Sequence, residues 1–350
     1  MYLHEDQGEL AQLVSDAAIH FERAEAYILK DYYATMVLRE VTSRNPRVVF
    51  KGGTCLSKCH HAIDRFSEDV DLGMAEAHVT EGMRKALKRA VTEAADAVGL
   101  DITNIDQTRS RRDYNRYDMA LPGGDKLLVE TAVITPASPA LTMPVQSFIG
   151  EYCDLVGLHD IAEEYGLEPF EVNANSMERT LCDKAFALCD YYLAGEELRR
   201  HSRHIYDLRK LQGLVSFNEE LAALFAAVRK QRLGKPRCLS ADPSVDLAAV
   251  LRDLAKNDVY KRDYIDVTTD LLYDDMPYEE AVKAIYELPG FVSGIDWSNC
   301  LDLSTADYSR IFAKNADDLE AMLAASEATP LEECVSMEDG IKDIAERINR

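Results

Sequence analysis

The chain has 350 residues, 47% of them hydrophobic, with 39 Lys and Arg against 62 Asp and Glu, a formal net charge of -23. That is enough for a sizeable core and suggests two domains; the acidic balance argues against non-specific binding to nucleic acid or an anionic membrane. No apolar run reaches the length of a membrane span, the start Met1-Tyr2-Leu3-His4-Glu5-Asp6 lacks signal-peptide character, and eight cysteines without CxxC spacing fit reduced thiols in a cytoplasm.

In chain order, residues 8–44 place apolar side chains three to four apart, among them Leu10, Leu13, Ala17, Ile28, Tyr32 and Met36, which predicts helices. Tyr32 and Tyr33 read as packing residues. Arg47-Val48-Val49-Phe50 predicts a strand ending at Gly52-Gly53, followed by a helix over Thr54 to Ile63. Cys55 and Cys59, beside His60 and His61, lack a second ligand pair and are taken as helix residues. Val70 and Leu72 alternate with Asp69 and Asp71, the period of a strand. Glu81 to Val98 predicts an amphipathic helix, and Tyr117–Leu121 and Lys126–Thr135 predict strands joined at Pro122-Gly123-Gly124-Asp125. Pro136, Pro139 and Pro144 mark irregular chain. From Glu178 onward the pattern is helical, ending in an acid-rich stretch.

A strand running into Gly-Gly and then a helix sets backbone N–H groups where an anion is favoured, and Thr54 or Ser57 could add a hydroxyl. Alone, this motif also serves as an ordinary turn. Asp69 and Asp71, two apart on a strand, point to one face and repel unless a cation lies between them. Two aspartates at a wet strand end are the plain alternative. Taken together, G-G-T and S-x-D-x-D within some twenty residues are more specific, and match the arrangement of nucleotidyltransferases of the polymerase-β-like fold. Glu130 in "KLLVETAVIT", a charge interrupting an apolar strand, is the candidate third carboxylate.

The segments "LKDYYATMVLREV", "FKGGTCLSK", "RFSEDVDL", "LLVET" and "MERTLCDKAFAL…RRHSRHIYDL" occur in the order of the AbiEii-like, MenT-related nucleotidyltransferase toxin family of type IV toxin–antitoxin and phage-defence systems, which the chain resembles over residues 29–290. The resemblance implies an α+β protein: a polymerase-β-like nucleotidyltransferase domain with a mixed sheet over 1–170, then a mainly helical domain over 171–350 closing the cleft, with an acidic appendage at 315–350. It implies transfer of nucleotides from a nucleoside triphosphate, with Mg2+ or Mn2+, to an RNA acceptor such as the tRNA 3′ end, and a winged-helix antitoxin as partner. The metal falls to Asp69, Asp71 and Glu130. The nucleotide falls to Lys51, Gly52, Gly53, Thr54, Lys58, Arg65, Ser67 and Arg203, and Lys184 and Asp207 join Asp69 and Asp71 as catalytic residues. Relatives carry an acid where this chain has His204. A GTP-binding protein without turnover, or an enzyme that nucleotidylates a small antibiotic, are the other readings.

Read from spacing alone, Arg200, Arg203 and Asp207 share a helix face; an exposed salt-bridge ladder is the commoner fate of such residues. Two basic runs, Arg109, Arg111, Arg112 and Arg116 with Tyr114 and Tyr117, and Arg229, Lys230, Arg232, Lys235 and Arg237, are candidate RNA contacts.

Overall fold

A computed structural model describes residues 1–67, 69–195 and 199–298. They belong to one compact unit, Met1–Ser304. The acidic stretch 315–350 lies outside the described residues.

Two helices open the chain, α1 (Gln7–His20) and α2 (Glu25–Arg44), the first capped by the Asp6 carboxylate on the backbone of Gly8 and Glu9. Strand β1 (Val48–Lys51) passes directly into the short helix α3 (Gly52–Lys58), and strand β2 (Asp69–Met74) returns beside it. The predicted helix over 54–63 is thus shorter and starts two residues earlier. It stops at Lys58, and His61 then takes a left-handed backbone, φ 47°, that turns the chain away. Helix α4 (Glu81–Ala97), β3 (Tyr114–Ala120) and β4 (Lys126–Ala132) follow close to expectation.

The proline-marked region holds a strand that was not predicted, β5 (Ala140–Val145). Helices α5 (Phe148–Val156) and α6 (His159–Tyr165) then lead to β6 (Phe170–Asn175). Pro144 is tolerated in β5 because the strand lies at the sheet edge, where a missing N–H breaks no ladder.

The six strands form one mixed sheet in the order β3-β4-β2-β1-β6-β5. β1 is antiparallel to β2 and parallel to β6, and β2 is parallel to β4. Strand alternation gives β2 two unlike faces: Val70, Leu72 and Met74 enter a core shared with α2 and α4, whereas Asp69, Asp71 and Gly73 face the other way. β4 repeats the pattern, with Leu127 and Val129 in the core and Glu130 opposite. Tyr32 and Tyr33 are buried in that core.

After β6 the described elements are helical: α7 (Met177–Ala194), α8 (Arg203–Gln212), α9 (Glu219–Arg232), α10 (Leu247–Lys256) and shorter turns up to a helix at Lys283–Ser293. Among the described residues no helix is long and apolar enough to cross a membrane.

Candidate active site

The register of the sheet assembles the acidic face. Asp71 pairs with Lys51 of β1 on one side and with Glu130 of β4 on the other, and Asp69 stands two residues along β2 on the same face. Glu130 therefore lies beside Asp71. Burial pushes its carboxyl above the usual carboxylate range, the Asp71 charge adds to the rise, and the Tyr114 hydroxyl donates to Oε1 at 2.7 Å.

The glycine pair fits around this face. Gly52 has φ 77°, a left-handed backbone, and a Cβ on it would lie 1.9 Å from Asp71 Oδ2. The Asp71 carboxylate thus sits directly over the turn. A Cβ on Gly53 would lie 2.5 Å from Arg65 Nη2 and 2.9 Å from Ser67 Oγ. Both positions need the missing side chain, the first for conformation and room, the second for room alone.

Thr54 and Ser67 are engaged with each other. Thr54 Oγ1 is 2.9 Å from Ser67 Oγ and donates to the Asp69 carbonyl, so the hydroxyls tie the start of β2 to α3. Lys58 is placed differently from the other expected nucleotide ligands. It stands at the far end of α3, buried, in an ion pair with Asp31, whose other oxygen accepts from the Phe148 N–H.

Next to the acidic face is a closed ionic knot. Arg65 Nε and Nη2 donate to the two oxygens of Asp207 at 2.7 and 2.8 Å, and Lys184 pairs with the same carboxylate. Arg65, Lys184 and Asp207 are all buried, Asp207 fully. Burial would raise Asp207, but the Arg65 and Lys184 charges outweigh it and hold the carboxyl well below the usual range. Lys184 is lowered, by burial first and by the neighbouring Arg65; one carboxylate shared by two cations cannot fully offset both.

His204 completes the knot. Its Nδ1 lies 3.5 Å from Lys184 Nζ, and burial together with the Lys184 and Arg203 charges drives its pKa well below the ordinary value. The imidazole is neutral at pH 7, with Nδ1 able to accept from the ammonium. Arg203 leaves the knot and reaches the acidic face, Nη2 3.7 Å from Asp69 Oδ2. Arg200 does not share this helix face. It precedes α8 in a left-handed backbone, φ 70°.

The knot is strapped to the rest of the chain by backbone. Phe66 N–H donates to Leu271 O and Tyr273 N–H to Asp64 O, so the segment carrying Arg65 is bracketed by helical-region residues. These straps have no sequence signature, which is why spacing alone did not find them.

Several arginines of the two basic runs have internal partners. Arg116 pairs with Asp118, Arg112 donates to the Gln107 carbonyl, Arg229 donates to three backbone carbonyls, and Arg232 bridges Asp183 and Asp190.

Among the described residues no three His, Cys, Asp or Glu side chains stand close enough to hold a metal by themselves. The donor set nevertheless suits one kind of ion. Asp69 and Asp71 are hard oxygen ligands on one face, and Mg2+ is commonly held by one or two carboxylates with substrate phosphates and water completing the shell. The fit is to a magnesium-like ion shared with a phosphate chain.

A model of the AbiEii family, described as "Nucleotidyl transferase AbiEii toxin, Type IV TA system", matches residues 37–288. No curated protein matches the chain.

Proposed function

We propose that this chain, which belongs to the AbiEii family of nucleotidyl transferase toxins of type IV toxin–antitoxin systems, transfers a nucleotide from a nucleoside triphosphate to an RNA acceptor such as the tRNA 3′ end. The observation that carries the reading is the Asp71 carboxylate seated over Gly52, with Asp69 and Glu130 on the same face. An acidic face closed onto a glycine turn is suited to a phosphate chain that arrives with its own divalent cation.

In this reading Asp69 and Asp71 would hold Mg2+ or Mn2+. Glu130, which forms no ready three-ligand group with them among the described residues, would be drawn in as third carboxylate when the ion and its phosphates bind. When bound, the ion would neutralise charge on the transferring phosphoryl group. Gly52 and Gly53 let the phosphate chain approach the backbone. Lys51 and Arg203 flank it with positive charge, and Arg65, Lys184 and Asp207 fix the wall behind it. The acceptor hydroxyl oxygen forms the new bond to the α-phosphorus. The bond from that phosphorus to the bridging oxygen breaks, pyrophosphate leaves with that oxygen, and the hydroxyl proton passes to water.

Residues 1–170 carry the carboxylates and the glycine turn in this scheme, and the described helices that follow, from Met177 to Ser293, close the cleft. An antitoxin is the expected partner. Incubating the purified chain with labelled nucleoside triphosphates, Mg2+ and total tRNA should yield labelled tRNA and pyrophosphate, and Asp69→Ala should yield neither. Label on a protein or small molecule would move the acceptor class. Absence of transfer with every nucleotide and acceptor would sink the enzyme.

A further inference from the structure

The two ends of the acidic face differ. At the Asp69 end stand Arg203 and, through Thr54 and Ser67, Arg65. At the other end Gly73 raises no side chain. The Lys51 stem lies across it, Cδ and Cε 3.3 and 3.4 Å from the position a Gly73 Cβ would take, and Ala137 closes on the same spot.

Beyond Lys51 opens a cavity of about 330 Å³, walled by Ile134 and Pro136 after β4, Ala187 and Tyr191 of α7, and Pro236. The paired charges of Arg232, Asp183 and Asp190 and the Arg237 side chain are also on its lining. The Tyr191 ring is held by stacking on His201, centroids 3.7 Å apart and 16° between planes. Lys51 lines this cavity, and among the described residues it makes neither hydrogen bond nor ion pair, although Asp71 is its cross-strand neighbour and Glu130 feels its charge. An ammonium not locked into an ion pair, beside a partly apolar and aromatic wall, suits a planar, weakly polar body that carries an anion.

We propose that this cavity holds the nucleoside of the donor triphosphate, with the α-phosphate beside Lys51. The inference rests on the nucleotidyltransferase reading and adds the direction in which the donor lies. With about 3.3 Å of rise per residue, Asp69 and Gly73 are about 13 Å apart along β2. A phosphate tail at the Arg203 end then sets the α-phosphorus over Asp71 and the ribose over Gly73. The reverse direction is less suited to a base: the space lined by Thr54 and Ser67 is about 30 Å³, and the cavity of about 360 Å³ adjoining it is walled by Arg23, Lys58, Asp64, Arg65, Glu151 and Lys210, a strongly charged lining.

Ala187 is half-buried on α7, so a larger side chain there grows into the cavity. Calorimetry with Mg2+, using the four nucleoside triphosphates and inorganic tripolyphosphate as ligands, compares wild type with Ala187→Phe and the milder Ala187→Leu. Ala187→Phe is expected to weaken the preferred triphosphate about tenfold or more and leave tripolyphosphate within about twofold, with Ala187→Leu in between. Tripolyphosphate binding also reports that the variants are folded. Unchanged nucleotide affinity overturns the proposal. So does unchanged nucleotide affinity with a raised acceptor KM, which would give the cavity to the acceptor. Equal loss of both ligands in both variants overturns it as well. Wild type that binds neither ligand removes the nucleotidyltransferase reading itself, and this inference with it.

Discussion

The acidic face and the ionic knot are neighbours built on opposite principles. The knot is dry: Arg65, Lys184, Asp207 and His204 satisfy one another. On the face, the side chains of Asp69 and Arg203 keep 18% and 25% exposure. Such an ion pair gains little in water, whereas a buried bidentate pair is costly to break because the survivor is stranded without solvent. One region fixes geometry, and the other, in the function proposed, receives the ligand.

Substitutions should separate the two. The largest effect belongs to the face: Asp69→Asn or Asp71→Asn is expected to lower transfer about ten-thousandfold while the urea midpoint stays near wild type. A midpoint that fell together with activity would erase the distinction. In the knot, Asp207→Ala leaves two buried cations without their carboxylate and should cost about 3–5 kcal/mol in equilibrium unfolding. Asp207 also adds an acid limb. Its folded pKa lies below the unfolded one, so its contribution is full above the ordinary carboxylate range and is lost as pH falls through the folded value.

Glu151 tests the same logic with the opposite sign. Burial pushes its carboxyl to about 7, from 4.5, against the pull of Lys58. The folded state keeps a proton that the unfolded chain releases, so stability falls as pH rises from 4.5 to about 7. Glu151→Gln should remove that slope and stabilise the protein at pH 8 by on the order of 2–3 kcal/mol; parallel urea curves at pH 5 and 8 for both proteins would rule it out. Gly52→Ala lies on the border of the regions. Its left-handed backbone costs about 1–2 kcal/mol, and the new methyl must displace the Asp71 carboxylate, so transfer should drop by more than the stability change explains. Smallest is Arg203→Ala, expected to change stability by less than about 1 kcal/mol and to show itself as a higher KM for the nucleotide.

What the sequence disclosed follows the same division. Alternation along "EDVDLGM" places Asp69 and Asp71 on one face without reference to the rest of the chain, and the register adds Glu130. Gly-Gly announces a turn because the left-handed backbone at Gly52 disfavours a side chain. The partners of the knot were not readable, because Arg65 and Asp207 lie 142 positions apart and meet through tertiary packing. Spacing on a helix suggested that Arg200 would stand with Arg203, but α8 begins only at Arg203. β5 was hidden by prolines that an edge position excuses. Lys58 follows the glycines closely in sequence, yet along a helix six residues carry a side chain about 9 Å from the turn, here to Asp31.

The Arg65–Asp207 pair also sets an order of events during synthesis. When the glycine turn and both aspartates of β2 have left the ribosome, the carboxylate that receives Arg65 has still to be translated. The nascent chain therefore carries its acidic strand for well over a hundred residues with the arginine beside it unanchored, and the wall of the cleft forms only after Asp207 has been made. A fragment that stops before Asp207 is expected to be inert, however well its sheet folds.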